Sequence, residues 1–526
     1  MSLPDLHLCL NQPAGHVGSL ALLDPARYFR YHFRRLGARV SVAKNRLRHD
    51  AVNIVFGAHL GFDPVLSQHY ACVFVNLEQL GEGGVSASSA YLQLLRRSAV
   101  IDIDPANLAH YTDHPDDVPL VPIVHAPYLA AEAATPARPL AERPIDLLFI
   151  GTLNERRRRL IDRIERTGLR VSVFDQPLYG PERDAYIRQA RAVLNCHRFD
   201  ASRLEMLRVA HCLGLGTPVV AERTPRTQAP AYYDDAVTWF EDADLEEVFG
   251  RHLGSDAWRA QAEVQLAHFA QLDPAEGFAD ALAFASGFGR THARQRSREP
   301  WVPVRLNLAA GRHYRPNWLN IDPRPGAEAD LVLDLGEPLV LPLQIDSALC
   351  GPVQLAAGQF EEIHAVETFE RVDNLTRLMT QCLTLLREQG RLVVEVPLDR
   401  APTAWQDPAD RRAFNENAWL RCTDGFWQLG WFEHRFQIEQ STYLDLHSRT
   451  SRRDKAATMR VTLQKVRTTP HERTLARTML TDCQLPDDLV PPDEQLLPPD
   501  TSQPLGALAE TAAPDLDAQL AAVLQD

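Results

Sequence analysis

Short apolar runs alternate with amphipathic stretches along most of this chain, and that rhythm restricts the fold more than any other feature. LHLCLN, ARVSVA, AVNIVFG, ACVFVNLE and AVIDID read as buried strands near the N-terminus. PARYFRYHFRRLG, between the first two, reads as a helix that stops at a glycine. Strands that alternate with helices pair in parallel, because each crossover lays a helix on a sheet face. The expected class is α/β with doubly wound sheets.

The rhythm pauses at LAAEAATPARPLAERP, an Ala/Pro-rich stretch without a period that reads as a linker, and then restarts. IDLLFIG, RVSVFD, AVLNCHR and TPVVAE read as strands. LNERRRRLIDRIERTG, ERDAYIRQA and SRLEMLRVAHCLGLG read as helices, the last with Arg203 and Glu205 in its first turn. Two such domains in tandem, residues 1–130 and 131–295, describe a twin-Rossmann architecture with a cleft between them. A third unit, residues 300–470, has the strands VRLNLAA, NWLNID, EEIHAVE and GRLVVEVPL, with the helix NLTRLMTQCLTLLREQG before the last. Residues 478–526 contain no Lys, Arg or His and many Pro and Asp, and are expected to be a disordered acidic tail.

The formal net charge of −14 over 526 residues argues against general nucleic-acid binding, which needs a basic face. No run of about 20 apolar residues is present to span a bilayer. The N-terminus lacks the basic and apolar regions of a secretory signal. Eight dispersed cysteines suggest neither a metal site nor a disulfide framework, so a cytoplasmic setting is expected. No segment specifies an oligomeric state.

Ligands of open parallel sheets bind beyond the carboxyl ends of the strands, so the residues after each strand matter most. After LLFI comes Gly151-Thr152-Leu153-Asn154 and a helix start carrying Arg156 to Arg159. A glycine permits close backbone approach, a helix N-terminus favours an anion, and an arginine there suits a diphosphate. The run also reads as a solvated helix face. After AVL comes Asn195-Cys196-His197, a polar loop ahead of Arg203 and Glu205. In the third unit, RLNLAAGRHYRPNWLNID has the order of a nucleoside cradle. Gly311 supplies part of the turn, Asp322 a ribose carboxylate and Asp334 an adenine-edge acceptor, the set that S-adenosylmethionine requires.

LLFIGTLNERR, VLNCHRFDASRLEMLRVAHCLGLGTPVVAE and VFVNLEQLG resemble bacterial GT-B glycosyltransferases of surface-glycan and flagellar-glycan clusters, over roughly residues 5–285. The resemblance implies a nucleotide-sugar donor held mainly by the second Rossmann domain, no obligatory metal, and a glycan or glycoprotein acceptor. Carried over, Arg203 and Glu205 contact donor diphosphate and sugar or ribose, while Gly151, Thr152, Arg156, Asn195 and His197 line that site. The acceptor side falls to the first domain, where NQPAGHVGS carries His16 and VNLEQLGEGG carries Glu78. Either is a candidate base for an inverting transfer.

Residues 304–440 resemble class I S-adenosylmethionine-dependent methyltransferases of glycan-modification clusters, through LNLAAG, GQFEEIHAVETFERV, LREQGRLVVEVPL and DPADRRAFNENAWLRCTDGFWQLGWFEHRF. That group reads LNLGCG or LNLGSG where Ala309 stands here. Its HVLEH element is Glu367-Thr368-Phe369-Glu370-Arg371, without either histidine, and its DPTH histidine is Asp410. Three readings follow. The chain is a glycosyltransferase with a methyltransferase-like domain of retained or decayed activity, a glycan methyltransferase with a GT-B glycan-binding module, or a catalytically inactive scaffold.

Overall fold

The computed structural model describes residues 4–480 apart from 14–15, 82–86, 132–137, 177, 200–202, 296–298, 326, 328 and 403. The expected acidic tail lies almost wholly outside the described residues, as does Gly15 beside His16. The chain divides into two compact units, Met1–Thr368 and Phe369–Asp526.

The first unit is mixed α/β with parallel Rossmann-like sheets. Its first sheet holds β1 (Leu6–Leu10), β2 (Val40–Lys44), β3 (Val52–Phe56), β4 (Cys72–Asn76) and β5 (Ala99–Asp102), all parallel, in the order β2-β1-β3-β4-β5. Every residue of β3 and β4 is buried, as expected of central strands covered on both faces. The second sheet holds β6 (Ile145–Ile150), β7 (Val171–Phe174), β8 (Ala190–Asn195), β9 (Val219–Glu222) and β10 (Thr238–Phe240), again parallel, in the order β10-β9-β8-β6-β7. The long helix Ala275–Gln295 follows the second sheet in sequence but packs on the first. Its Phe278 ring lies 5.1 Å from Phe29 and 5.2 Å from Phe33 of helix Leu23–Arg35. Burying three full phenyl rings ties the end of the second Rossmann fold to the first.

The rest of this unit carries four parallel strands, β11 (Arg305–Leu308), β12 (Leu319–Asp322), β13 (Leu331–Val332) and β16 (Phe360–Val366), with β11 between β12 and β16. An antiparallel hairpin, β14 (Leu343–Ser347) and β15 (Gly351–Leu355), precedes β16. The second unit pairs β17 (Leu386–Pro397), β19 (Thr458–Arg467) and β18 (His434–Leu444) antiparallel around β19.

Two segments differ from the sequence expectation. The helix expected over NLTRLMTQCLTLLREQG ends at Leu385, and LREQG already belongs to β17, where the buried Lys465 ammonium donates to the Leu386 carbonyl at 2.7 Å. The helix expected over SRLEMLRVAHCLGLG begins only at Met206. Ahead of it the backbone runs extended, because Arg203 bridges to Gln228 and the Leu204 amide donates to the Gln228 carbonyl at 3.0 Å.

Candidate functional site

The carboxyl edge of the second sheet brings cations to a bare backbone. β6 ends at Ile150, and Gly151 follows at φ +155°. Helix Glu155–Glu165 starts close behind, capped by Asn154, whose side-chain oxygen accepts from the Arg157 amide at 2.9 Å. That cap sets the helical phase so that Arg157 shares the buried face with Leu160, Ile161 and Ile164. Its guanidinium donates to the Cys196 carbonyl at 2.9 Å, to the Thr152 carbonyl at 3.1 Å and to Glu205 at 2.7 Å. Arg208, in the first turn of helix Met206–Gly214, reaches the other Glu205 oxygen at 2.6 Å. Burial opposes charge on Glu205, but Arg208 and then Arg157 hold its carboxyl below the usual range. Two guanidiniums on one carboxylate leave a surplus positive charge. Both crowd Gly151, where a Cβ would lie 3.1 Å from Arg208 and 3.5 Å from Arg157.

These groups face a cleft of about 610 Å³ within the first unit. Of the residues expected from sequence, Glu78, Thr152, His197, Arg203 and Glu205 line it. Arg157, one of the run Arg156 to Arg159, and Arg208, which was not named from sequence, line it too. Arg156 turns elsewhere: it donates to Glu222 at 2.9 Å and to the His197 carbonyl at 3.0 Å. Glu222 in turn accepts from the His197 amide at 2.9 Å. The His197 ring meets the Thr227 hydroxyl at 2.7 Å, and burial lowers its pKa. Asn195 is buried below, at the end of β8. Arg203 spans the cleft, donating to Asp104 at 2.7 Å and to the Leu80 carbonyl at 2.5 Å, so its charge is met by the first Rossmann fold.

On the first-sheet side, a buried carboxylate organises the loop after β4. Asp102 accepts from Asn76, Asn107 and Tyr111 at 2.8, 2.8 and 2.9 Å. Burial pushes its pKa up to about 6 against those donors. Asn76 and Asn107 each also donate to the Glu78 carbonyl, which fixes Glu78 at the cleft. The Glu78 carboxylate meets His59 Nε2 at 3.3 Å. His59 lies in a short turn after β3, and its pKa is lowered by burial first, against the pull of Glu78, with His16 adding a further lowering. His59 and Glu78 thus form a pair, whose first member the sequence did not single out.

The third sheet's cradle is built differently. Ala309 stands in the left-handed region at φ +47°, a conformation that favours glycine. The Gly311 amide donates to Asp322 at 3.3 Å. Asp322 is fully buried, and Arg324 takes both of its oxygens at 3.0 Å through Nε and Nη2. Burial opposes that charge, yet the Arg324 pair holds the Asp322 carboxyl below its ordinary range. A Cβ on Gly311 would lie 3.1 Å from the same guanidinium. Asp334 is exposed just past β13 and accepts from the Gly336 amide at 2.7 Å. A ribose diol at Asp322 would have to displace the Arg324 guanidinium, whose side chain is largely exposed. In the second unit, Arg371 and Asp410, which replace two histidines of the resembled family, pair with each other at 3.0 Å.

No protein-family model matches the chain, and no curated protein matches it. Solved structures are similar to it at low identity. WaaG, a glycosyltransferase involved in lipopolysaccharide biosynthesis, is 13% identical at a TM-score of 0.35, over 54% of this chain and 100% of WaaG. Sucrose-phosphate synthase of Thermosynechococcus elongatus is 12% identical at 0.31, over 55% of this chain and 98% of its own. A SAM-dependent methyltransferase of Thermotoga maritima, a possible histamine N-methyltransferase, is 13% identical at 0.22, over 30% of this chain and 81% of its own. The likeness is to glycosyltransferases and to methyltransferases, and at these values it is one of fold.

Proposed function

We propose that the first unit is a glycosyltransferase that moves a sugar from a nucleotide-sugar donor to a glycan or glycoprotein acceptor. One observation carries the reading. Arg157 and Arg208 converge beside Gly151 in a cleft whose other wall presents Glu78. The donor diphosphate takes the surplus charge of the two guanidiniums, with Gly151 leaving room for its oxygens. Glu205 holds both arginines in place and lines the same cleft, where a sugar or ribose hydroxyl would be its partner.

In this reading the acceptor hydroxyl attacks the anomeric carbon with inversion. The new bond joins acceptor oxygen to that carbon, and the bond from the carbon to the diphosphate oxygen breaks. The acceptor proton passes to the His59–Glu78 pair, and the nucleoside diphosphate departs with its charge met by Arg157 and Arg208. Burial favours the neutral form of His59, the form able to take a proton. Arg203 acts as a strut between the two Rossmann folds rather than a donor ligand.

We read the third sheet as a structural module without methyl transfer, on the support of the Asp322–Arg324 pair and of Ala309. A cytoplasmic setting accords with buried cysteines that are free wherever described, and no helix among the described residues is long and apolar enough to cross a membrane. The test is donor hydrolysis by the intact protein across a set of nucleotide sugars, repeated with Arg208→Ala. Turnover of one donor, lost in the variant, is expected. Turnover of none, or no effect of the variant, removes the reading.

A further inference from the structure

Helix Leu23–Arg35 presents a second charged feature away from the reacting groups. A groove of about 450 Å³ is lined by Arg27, Arg30, Tyr31, Arg34, Arg35 and Tyr128. Arg27, Arg30 and Arg34 are spaced three and four apart, so they share one helical face over about 10 Å of axis. Such a row is notable in a chain whose formal net charge is −14. Arg35 is paired with Asp273, and Arg34 donates to the Val40 carbonyl at 3.1 Å. Arg30 Nε is buried without a hydrogen-bond partner among the described residues. Burial, then the like charges of Arg34 and Arg27, work against the Arg30 cation. Aromatic rings wall the groove: Tyr31 and Tyr128 lie 5.2 Å apart, and the Arg27 guanidinium sits 5.3 Å from the Tyr128 centroid.

An intervening cavity relates the groove to the proposed reaction site. Tyr128 also lines a cavity of about 240 Å³, and that cavity shares Leu207 and Arg208 with the donor cleft. We propose that the groove binds an anionic saccharide segment of the acceptor, bearing carboxylate or phosphate groups, outside the cleft. This deepens the glycosyltransferase reading and rests on it for the word acceptor. Guanidiniums recognise carboxylate and phosphate by paired hydrogen bonds, and the tyrosine faces offer the flat surface on which a pyranose ring packs. The lining favours a saccharide over an anionic membrane. It is concave, and no aliphatic side chain among the described residues lines it, whereas interfacial binding relies on inserted apolar groups.

The test is calorimetric titration of the full-length protein, without nucleotide, with tetragalacturonate and with maltotetraose. Tetragalacturonate should bind, weakening as salt is raised, and maltotetraose should not. Arg30→Gln and Arg34→Gln should each weaken tetragalacturonate by about tenfold. Arg34 is exposed, so its replacement reads binding rather than folding. Equal affinity for the two saccharides, or affinity unmoved by both variants, overturns the proposal. Co-sedimentation with phosphatidylglycerol vesicles that depends on Arg30 and Arg34, with tetragalacturonate ignored, also overturns it and assigns the groove to a membrane. Binding is read without donor, so a protein that fails to hydrolyse nucleotide sugars can still pass this test.

Discussion

The second and third sheets of the first unit end their leading strands in the same way and use the result oppositely. After β6 the chain turns at Gly151, and two arginines stand over the bare backbone, held by one carboxylate. After β11 it turns through Ala309 and Gly311, and one arginine closes on the carboxylate itself. In the first case cations outnumber the anion and a cleft lies open before them. In the second the charges cancel, and on our reading the pair competes with a ribose for Asp322. A parallel sheet edge is therefore only an opportunity for a ligand. The stoichiometry and reach of the charged side chains around it decide whether the opportunity remains.

That contrast can be broken at several points. The largest effect should come from Arg203→Ala. It leaves the buried Asp104 carboxylate with the Ala106 amide but no cation, so unfolding stability should drop by about 3 kcal/mol, measured by denaturant titration. If instead stability holds and only nucleotide affinity falls, Arg203 is a donor ligand. Next, Arg208→Ala should weaken nucleoside diphosphate binding by about a hundredfold with little change in melting temperature, since Arg208 is partly exposed. His59→Asn should slow sugar transfer by roughly a hundredfold. The wild-type rate should fall only at pH below the ordinary histidine range, because burial lowers the His59 pKa and so favours the unprotonated base. Gly151→Ala places a methyl against Arg208 and should cost about tenfold in nucleotide affinity by calorimetry. The smallest effect is its mirror image. Ala309→Gly relieves a left-handed alanine and should raise stability by about 0.5–1 kcal/mol, net of the entropy that glycine loses.

The alternation of strand and helix carried the parallel sheets, and with them the loops after the strands, so Gly151, Glu205, Glu78 and Asp322 could be named as candidates without coordinates. The run Arg156 to Arg159 could not be resolved by composition alone. Its helical phase contains the answer: Arg157 falls on the stripe with Leu160, Ile161 and Ile164, and Arg156 does not. Arg203 was legible as a charged group near the cleft, but its partner Asp104 is 99 residues away and no local pattern announces the pair. His59 sits in a three-residue turn with no motif around it, and only the packing of β3 beside β4 brings it to Glu78. Arg324 stands two residues from Asp322 in plain sight. Whether it points away or folds back depends on the turn after β12, which the sequence does not specify.

The most direct test is a pair of calorimetric titrations on the same intact protein. One uses a set of nucleoside diphosphates, the other S-adenosylhomocysteine. One diphosphate should bind at micromolar concentration and lose that binding in Arg208→Ala, while S-adenosylhomocysteine gives no heat of binding. Tight S-adenosylhomocysteine with no diphosphate bound would contradict the contrast between the two sheets, and would make the third sheet, not the second, the place where this protein holds its ligand.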